Sequence, residues 1–477
     1  MAESTQQATP SSTSGRQPSG FTVPLVLAAG VSAISALLYG YDTGIISGAL
    51  LQISKDFPIG SGMKQVIAAS ILLGAVIGAL TCSQLSERRG RRWTILVIAC
   101  VFVVGTLACA FAPSAWLLSL GRIVLGFAVG GATQTVPMYV AELAPPKHRG
   151  TLVLTFQLGI GVGIVISTIV GASEAFSWRV SIGAAAVPAL IMFLLLLRLP
   201  ESPRWLVKYD RHDDAQGVLD RIRPPGADNE DELRGIVGLE DKERDAGHAD
   251  RGWRGLRQPW VRPALIVGCG IAVFTQLSGI EMIIYYAPTI LTENGFSTSA
   301  ALKVSVALGV TYLTMMIVGL AIVDRVGRRR LTLIMIPGAA LSLTVLGVLF
   351  ATGNSGRGNI PFIIACLVAF MFFNAGGLQL MGWLTGSEIY PLAVRGAGTS
   401  AQAATLWSTN LLITLTLLTM INAIGAGATM WVYAAFNVAA WLFVWRRMPE
   451  LTGHSLEEIE TRLRRGSFKP ADFADKA

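Results

Sequence analysis

Two ionisable side chains lie inside long apolar stretches of the sequence, where a charge is costly and usually functional. Asp42 belongs to an apolar run that begins at Phe21, and Arg122 belongs to another such run further along the chain. An ionisable group at membrane depth normally faces a partner or a water-filled cavity. At 1.5 Å per residue, Asp42 lies roughly 15 Å before the outer end of its predicted helix, and Arg122 lies about 9 Å past the outer end of its own. The two groups therefore reach similar depths. The alternative to a functional role is a fixed ion pair that only pins two helices together.

The elements that must hold these groups are predicted from composition. Apolar residues make up 52% of the 477-residue chain and charged residues only 14%, whereas about a quarter of residues are charged in soluble proteins. Apolar runs of about 20 residues match a hydrocarbon core of roughly 30 Å, and in lipid such runs must be helical. Numbered 1 to 12 in chain order, the predicted helices are centred near Leu37, Leu73, Val103, Gly130, Gly161, Leu190, Phe274, Tyr312, Leu341, Phe370, Leu412 and Phe436.

One unit of roughly 240 residues occurs twice in the same direction. Three segments recur in order: Glu87–Arg92 as Asp324–Arg329, Glu142–Gly150 as Glu388–Gly396, and, more loosely, Pro200–Trp205 as Pro449–His454. Duplicated membrane halves are how many transporters build two rigid bodies around a central site. We therefore predict an all-α integral membrane protein with twelve transmembrane helices in two six-helix bundles. The expected divisions are a disordered N-terminal tail at 1–20, bundles at 21–199 and 263–447, a charged loop at 200–262 and a C-terminal tail at 448–477.

Basic residues cluster after the even-numbered helices and are scarce in the opposite loops. The clustered residues are Arg88, Arg89, Arg91, Arg92, Lys147, Arg149, Arg325, Arg328, Arg329, Arg330, Arg395, Arg446 and Arg447. Because positive loops remain in the cytoplasm, both termini and the charged loop are predicted there. The net charge of +8 then reflects topology, and no nucleic-acid partner is expected. The low lysine content and short termini suit a bacterial inner membrane, so we expect a multi-pass plasma-membrane protein.

The sequence offers no spacing typical of a metal, nucleotide or nucleophile site. All five cysteines fall within apolar runs and all four histidines lie outside them. Burial as small apolar residues is the usual role of such cysteines. We therefore expect no enzyme activity, no cofactor, no metal and no obligate protein partner.

Several motifs, taken in order, make the chain resemble the sugar porter family of the major facilitator superfamily. The residues that carry the resemblance, between about Phe21 and Glu460, are Gly40–Gly44, the two basic loops, Arg122, Glu142, Trp178, Arg179, Pro200–Trp205, Gln276–Gly279, Tyr285, Tyr286, Ser387–Pro391, Pro449 and Glu450. The family contains proton-coupled sugar symporters and facilitative glucose carriers. The resemblance implies a central cavity between two bundles that opens alternately to each side of the membrane.

The resemblance also implies roles for charged residues. In proton-coupled relatives the aspartate at the position of Asp42 and the arginine at that of Arg122 form a proton switch, whereas facilitative relatives tend to lack the carboxylate. Acids that end helices 4 and 10 pair with the repeated arginines and hold the outward-open state. The gating residues would be Glu142, Arg91, Arg149, Glu388, Arg328 and Arg395. The alternative is ordinary surface ion pairing, which is often worth only about 0–1 kcal/mol.

A sugar offers hydroxyls that donate and accept hydrogen bonds, which amides match, and a carbon face that stacks on aromatic rings. The expected substrate contacts are Gln157, Thr275, Gln276, Glu281, Tyr285, Trp383, Trp407 and Asn410. Each polar residue taken singly could instead join two helices. As a set spread over both halves of the chain, they favour substrate contact.

Three positions depart from the family pattern. Thr275 stands where the first of two glutamines is usual, and Glu281 and Tyr312 each stand where an asparagine is usual. Glu281 matters most, since an acid could accept two hydroxyls from a sugar or polyol, titrate as a second proton site, or pair with a cation. The usual Gly-Pro break before Trp383 is also missing, and the glycines that could replace this hinge are Gly376, Gly377 and Gly382.

The function expected from these features is secondary active import of a monosaccharide or related polyol by proton symport. Its partners would be the substrate, the proton and the lipid bilayer. A proton-independent uniporter, or a carrier of another small hydroxylated metabolite, is the alternative. A sugar sensor that does not transport is disfavoured because such sensors usually carry long cytoplasmic extensions, and the tail after helix 12 is short.

Overall fold

The computed structural model describes residues 22–145, 149–173, 175–225, 228–245, 252–352, 359–454 and 456–476. Within these ranges the regular structure is helical throughout. The tail predicted to be disordered, residues 1–20, lies outside the described residues.

The described residues form twelve membrane-spanning helices, as predicted. In the first half they are helix 1, Val23–Asp56; helix 2, Ser61–Arg89; helix 3, Arg91–Ala110; helix 4, Ala115–Leu143; helix 5, Arg149–Ala172; and helix 6, in two segments, Trp178–Gly183 and Ala186–Leu197. In the second half they are helix 7, in two segments, Arg262–Leu277 and Ile280–Glu293; helix 8, Thr298–Val326; helix 9, Arg328–Ala351; helix 10, in two segments, Ile360–Ala375 and Leu378–Ile389; and helices 11 and 12, which together form the stretch Arg395–Arg447.

Helices 11 and 12 are separated by a single residue. Among the described residues, 11 helical stretches are long and apolar enough to cross a membrane, and Arg395–Arg447 counts once among them. Gly425 interrupts this stretch with φ 84° and ψ 159°, a conformation that L-residues with a side chain rarely adopt. The division at Gly425 gives the twelfth crossing.

Helices 7 and 10 are each broken near the middle of their length. In helix 7 the break includes Gly279, which has a left-handed conformation with φ 94°. In helix 10 the break falls at Gly376 and Gly377, and Gly377 has the non-helical angles φ −122° and ψ −95°. Helix 10 is therefore broken at two of the three glycines that were expected to replace the Gly-Pro break. Gly382 instead lies inside the second segment of helix 10 and faces Thr275.

Small residues let helices 2 and 4 approach closely. A Cβ atom at Gly126 would overlap the carbonyl oxygen of Ile71, and one at Gly130 would overlap that of Ala75. From the first contact to the second, both helices advance by four residues, about one helical turn, so the two helices pack in register. One turn earlier the same register places Arg122 beside Ile67, so the glycine face of helix 4 positions the arginine.

Large apolar side chains cover the outward faces of both bundles. Examples with more than half of the side chain exposed are Val104, Leu120, Val187, Ile334, Phe362 and Leu412. A soluble protein rarely exposes so much apolar surface, and a lipid environment accounts for it.

The third repeated segment has the same structure in both halves. The Glu201 carboxylate accepts hydrogen bonds from the backbone N–H groups of Arg91 and Arg92 at the start of helix 3. The Glu450 carboxylate accepts the corresponding bonds at the start of helix 9, from Arg328 at 2.9 Å and the residue after it at 3.0 Å. Each glutamate thus caps a helix whose first N–H groups lack partners within the helix. The membrane end that carries these two caps is called the basic end below, and the other is called the opposite end.

The charged loop between the halves contains short helices. They are Pro203–Lys208, His212–Ile222, Asn229–Asp245 and Gly252–Gly255. The C-terminal tail adds Leu456–Arg464 and a 3-10 segment, Pro470–Lys476. All of these lie at the basic end, where the Trp205 indole N–H donates to the carbonyl oxygen of Glu87.

Candidate functional site

The two buried charges predicted to meet are neighbours. An Nη1 atom of Arg122 lies 3.6 Å from an Oδ1 atom of Asp42, and both side chains are almost fully buried. The Arg122 Nε–H donates at 2.8 Å to the carbonyl oxygen of Ile67 on helix 2. The Nη1 group of Arg122 has no hydrogen-bond partner among the described residues. The arginine is therefore fixed mainly by helix 2, and its contact with Asp42 is loose.

Aromatic rings form a wall beside this pair. Trp407 makes edge-on contacts with Tyr39, at 5.3 Å between ring centroids, and with Trp383, at 6.3 Å. A cavity of about 10 Å³ lies at this point and is lined by Asp42, Tyr39, Tyr285 and Trp407, among others. Its volume is near the minimum that one water molecule needs. The cavity joins the charged pair to the aromatic wall.

Several predicted substrate contacts have buried polar atoms without protein partners. Among the described residues, these atoms include Gln157 Oε1, Gln276 Oε1, Glu281 Oε2, Trp407 Nε1 and Asn410 Nδ2. Three of these atoms, on Glu281, Trp407 and Asn410, belong to side chains that lie around Tyr285. Because a buried polar group left unpaired costs about 1–3 kcal/mol, they indicate a place for a polar ligand. All five belong to residues predicted to contact substrate.

Two of the predicted contacts are engaged within the protein. The Thr275 hydroxyl donates to the carbonyl oxygen of Ile271 at 2.7 Å and lies 3.4 Å from that of Leu378. It therefore joins helix 7 to the second segment of helix 10. Tyr285 is buried, and its hydroxyl interacts with the Glu281 carboxyl.

The structure adds central residues that the sequence reasoning did not select. Tyr39 packs on Trp407, and the amide of Gln379 interacts with the Tyr312 hydroxyl. Asn374 is also buried, and neither its Oδ1 nor its Nδ2 has a partner among the described residues. Asn374 and Gln379 are amides in an apolar segment, the signal that identified Gln157 and Gln276, so both could have been found.

Two departures from the family pattern meet in space. Glu281 on helix 7 and Tyr312 on helix 8 are both buried, and their side chains lie within electrostatic range of each other. Tyr39 of helix 1 also faces Glu281. The Glu281 carboxyl therefore has one tyrosine hydroxyl as a hydrogen-bonding neighbour, that of Tyr285, and two more tyrosines within electrostatic range.

The repeated acids and arginines at the basic end form ion pairs within each half. Arg91 binds both carboxylate oxygens of Glu142, at 3.1 and 3.2 Å, and Arg328 binds Glu388 at 2.8 and 3.2 Å. Such bidentate pairs are stronger and more specific in geometry than single contacts. The remaining two residues predicted to act in gating are Arg395 and Arg149. Arg395 donates its Nε–H to the Tyr390 carbonyl oxygen, and the side chain of Arg149 lies outside the described part of the chain.

The first pair extends into a network at the basic end. Arg91 also binds Glu87 at 2.9 Å, and Glu87 contacts Lys208 of the charged loop. Nearby, burial raises the pKa of the Glu201 carboxyl, although its hydrogen bonds from the N–H groups of Ser202 and helix 3 act in the other direction. The network ties the charged loop to helices 2, 3 and 4.

At the opposite end, side-chain hydrogen bonds join the two halves. The Gln65 amide of helix 2 donates to the Thr419 hydroxyl at 3.1 Å and accepts from the Thr419 N–H at 3.3 Å. The Asn422 amide donates to the Ser61 hydroxyl at 3.2 Å. Helices 2 and 11 are thus clamped together, and we call these four residues the polar clamp.

Within the described ranges, no cluster of three or more His, Cys, Asp or Glu residues could hold a metal ion. The described cysteines are unpaired. Amides, an indole N–H and buried carboxyls give this centre the groups that hydrogen-bond a polar molecule and that can hold a proton.

Two helical bundles around a buried polar centre, with ion pairs at one end and a polar clamp at the other, define a membrane transporter. The sequence matches the family described as "Sugar (and other) transporter" over residues 28–463. The chain belongs to this family and is therefore a transporter and not an enzyme.

Curated relatives and solved structures agree with this assignment. The chain is 38% identical over 436 residues to the D-xylose transporter of Levilactobacillus brevis, covering 91% of this chain and 94% of the relative. It is 35% identical over 448 residues to the major myo-inositol transporter IolT of Bacillus subtilis, covering 91% and 93%. A structure of the proton:xylose symporter XylE matches with a TM-score of 0.76 and 27% identity, covering 92% of this chain and 98% of that one.

Proposed function

We propose that this protein imports a monosaccharide or related polyol together with a proton, by alternating access. The observation that carries this proposal is the set of unpaired buried polar atoms on the predicted contacts, three of which belong to side chains around Tyr285. Amide oxygens, an amide N–H and an indole N–H can together donate to and accept from the hydroxyls of one sugar. Relatives named as transporters of D-xylose and myo-inositol support the same substrate class.

Proton coupling is assigned to Asp42 and Arg122. A buried carboxylate and a buried guanidinium stabilise each other, because an unpaired buried charge costs several kcal/mol. Their contact of 3.6 Å is loose, however, and Arg122 has its own bond to Ile67. Asp42 can therefore take up a proton while the arginine stays in place. A relative that is named as an arabinose-proton symporter supports coupling.

We assign the basic end to the cytoplasm because Lys and Arg concentrate there. The polar clamp then closes the side that faces away from the cytoplasm. The ion pairs Arg91–Glu142 and Arg328–Glu388 hold the helix ends on the cytoplasmic side, where we assign them to gating. We take residues 21–199 and 263–447 as the two bundles, and rocking of one against the other would break and remake the clamp.

The proposal is tested by uptake of radiolabelled D-xylose, D-glucose, L-arabinose and myo-inositol into cells that lack their own carriers. We expect at least one of the four to be concentrated inside the cell, and a protonophore to reduce uptake to equilibration. Uptake that equilibrates and ignores the protonophore would favour a uniporter. Absence of uptake for all four would contradict the proposed substrate class.

A further inference from the structure

The buried centre contains more acids than bases. Among the described residues, the buried charged side chains are Asp42, Arg91, Arg122, Arg223, Glu281 and Glu450. Arg91, Arg223 and Glu450 belong to the basic end, where each has partners. The centre is left with Asp42 and Glu281 against Arg122.

Arg122 already has interaction partners. Its Nη1 lies beside Asp42 and its Nε–H is bonded to Ile67. Glu281 takes part in no ion pair with a described Lys, Arg or His, and its Oε2 atom has no hydrogen-bond partner in the described protein. An ionised carboxylate buried without a cation costs several kcal/mol.

The groups that face Glu281 are neutral and polar. They come from three helices: Tyr39 from helix 1, Tyr285 from helix 7 and Tyr312 from helix 8. Tyr285 is also within electrostatic range of Asp42 and Arg122, so it is near both Glu281 and the charged pair. Phenol hydroxyls can donate to a carboxyl or accept from it, but they supply no positive charge.

From this charge balance we propose that Glu281 is a carboxylic acid while the cavity is closed, and that sugar binding requires its proton. The inference rests on the proposed function, because it assigns a role within the same sugar site. A protonated carboxyl has one O–H donor and keeps acceptor capacity. It can therefore donate to one sugar hydroxyl and accept from another, as an amide does.

Loss of the Glu281 proton provides a step that releases the sugar. When the centre opens to the less acidic cytoplasm, water reaches the carboxyl, and the O–H bond breaks to give Glu281 carboxylate and a hydronium ion in bulk water. The carboxylate can no longer donate, so the sugar loses one hydrogen bond and its affinity falls. On the more acidic side, Glu281 regains its proton from water and the site binds sugar again.

The experiment counts protons that are taken up as sugar binds. Purified protein is titrated with D-xylose, D-glucose, L-arabinose and myo-inositol by calorimetry at pH 5.5 to 9, in two buffers that differ in ionisation enthalpy. The best-bound sugar is then used for all variants. The slope of log Kd against pH equals the number of protons taken up with the sugar.

We expect wild-type Kd to rise by about tenfold per pH unit in the range where Glu281 ionises. The Glu281→Gln variant should lose one proton from this count and keep its affinity at high pH. The Glu281→Asp variant should restore the proton count. The matched control is Glu293→Gln, the same change at the exposed end of helix 7, which should titrate like wild type.

Three results would overturn the inference. One is a wild-type protein that takes up no proton with sugar, which can be seen even if Glu281→Gln does not fold. Another is an equal proton count in wild type and Glu281→Gln. The third is that wild-type protein binds D-glucosamine without taking up a proton and that Glu281→Gln abolishes this binding. Glu281 would then be the counter-ion of a cationic sugar. Failure of all four neutral sugars to bind at any pH would instead overturn the proposed function, and this inference with it.

Discussion

Arg122 is held beside Asp42 by Ile67, because its Nε–H donates at 2.8 Å to the main-chain carbonyl of Ile67 while the charged pair itself is 3.6 Å apart. The carbonyl belongs to helix 2, against which the glycine face of helix 4 packs in register. This anchor leaves the arginine in place whether Asp42 is ionised or protonated. In the proposed function, a proton can therefore bind to Asp42 and leave it without rearranging helix 4.

The first prediction concerns coupling. Replacing Asp42 by Asn should abolish accumulation of sugar against a gradient while sparing exchange of sugar for sugar. The neutral amide imitates the protonated acid, so the loaded carrier can still reorient, but the empty carrier leaves Arg122 unpaired and cannot return. Uptake and counterflow are measured in the same vesicles.

Asp56→Asn is the matched control for this change. Asp56 also belongs to helix 1, but it lies at the exposed end, where its carboxylate accepts hydrogen bonds from the side chains of Trp178 and Arg179. The Asp56→Asn variant should accumulate sugar as wild type does. Continued accumulation by Asp42→Asn would place the coupling group elsewhere in the centre.

The second prediction tests substrate contact at Asn410. Its Nδ2 group is buried and unpaired, while its Oδ1 accepts a bond from the Thr414 hydroxyl. Loss of one hydrogen bond to sugar costs about 1–3 kcal/mol, so Asn410→Ala should weaken sugar affinity roughly 5- to 150-fold. Kd is measured by calorimetry, and Asn294→Ala, at the end of helix 7, serves as control. Equal affinities in the two variants would exclude Asn410 from the sugar site.

The third prediction concerns the polar clamp. Gln65→Ala removes two hydrogen bonds between the halves, each worth about 0.5–1.5 kcal/mol. The opposite end should therefore open more often, and about a 5- to 150-fold shift in the ratio of states is the expected range. The reporter is a cysteine at the buried Ala68, one turn deeper on helix 2, in a cysteine-free background.

A membrane-impermeant maleimide should label Ala68→Cys faster when Gln65→Ala is also present. Gln52→Ala is the comparison, since Gln52 binds only within the first half, to the N–H of Trp178. Labelling that is equally slow in both would mean that the clamp does not hold the closed state.

The fourth prediction concerns the basic end. Glu142→Lys would place a cation against Arg91, which now binds both oxygens of the glutamate. Like charges repel, so the ion pair is lost and the population should shift toward states open to the cytoplasm. Glu388→Lys should act in the same way through Arg328. Accessibility of a cysteine at the cytoplasmic mouth reports the shift, and the exposed Glu230→Lys is the control. If labelling in the variants matches the control, Glu142 and Glu388 have no gating role.

The repeat and the apolar runs predicted the fold because both depend on simple physical rules. Lipid requires helices of a certain length, and a duplicated sequence requires a duplicated bundle. The parallel between Glu201 and Glu450 was visible only as a loose echo, yet both carboxylates cap a helix in the same way. The position of Gly425 was not predicted, since one glycine in an apolar stretch does not reveal its backbone angles.

The candidate site was predicted less completely. Side chains of unusual type for their surroundings, such as Asp42 and Gln276, could be found by inspection. Tyr39 could not, because a tyrosine in an apolar helix is ordinary and only contact with Trp407 gives it a place in the centre. The meeting of Glu281 and Tyr312 also depends on how helices 7 and 8 face each other, which the sequence does not specify.

The central claim is that sugar and protons move together. It is tested most directly by adding the best-transported sugar of the panel to a lightly buffered suspension of carrier-containing vesicles and recording the external pH. We predict an immediate rise in pH as protons enter with sugar, abolished by a protonophore and absent in Asp42→Asn. Sugar entry into wild-type vesicles with no change in external pH would contradict the account.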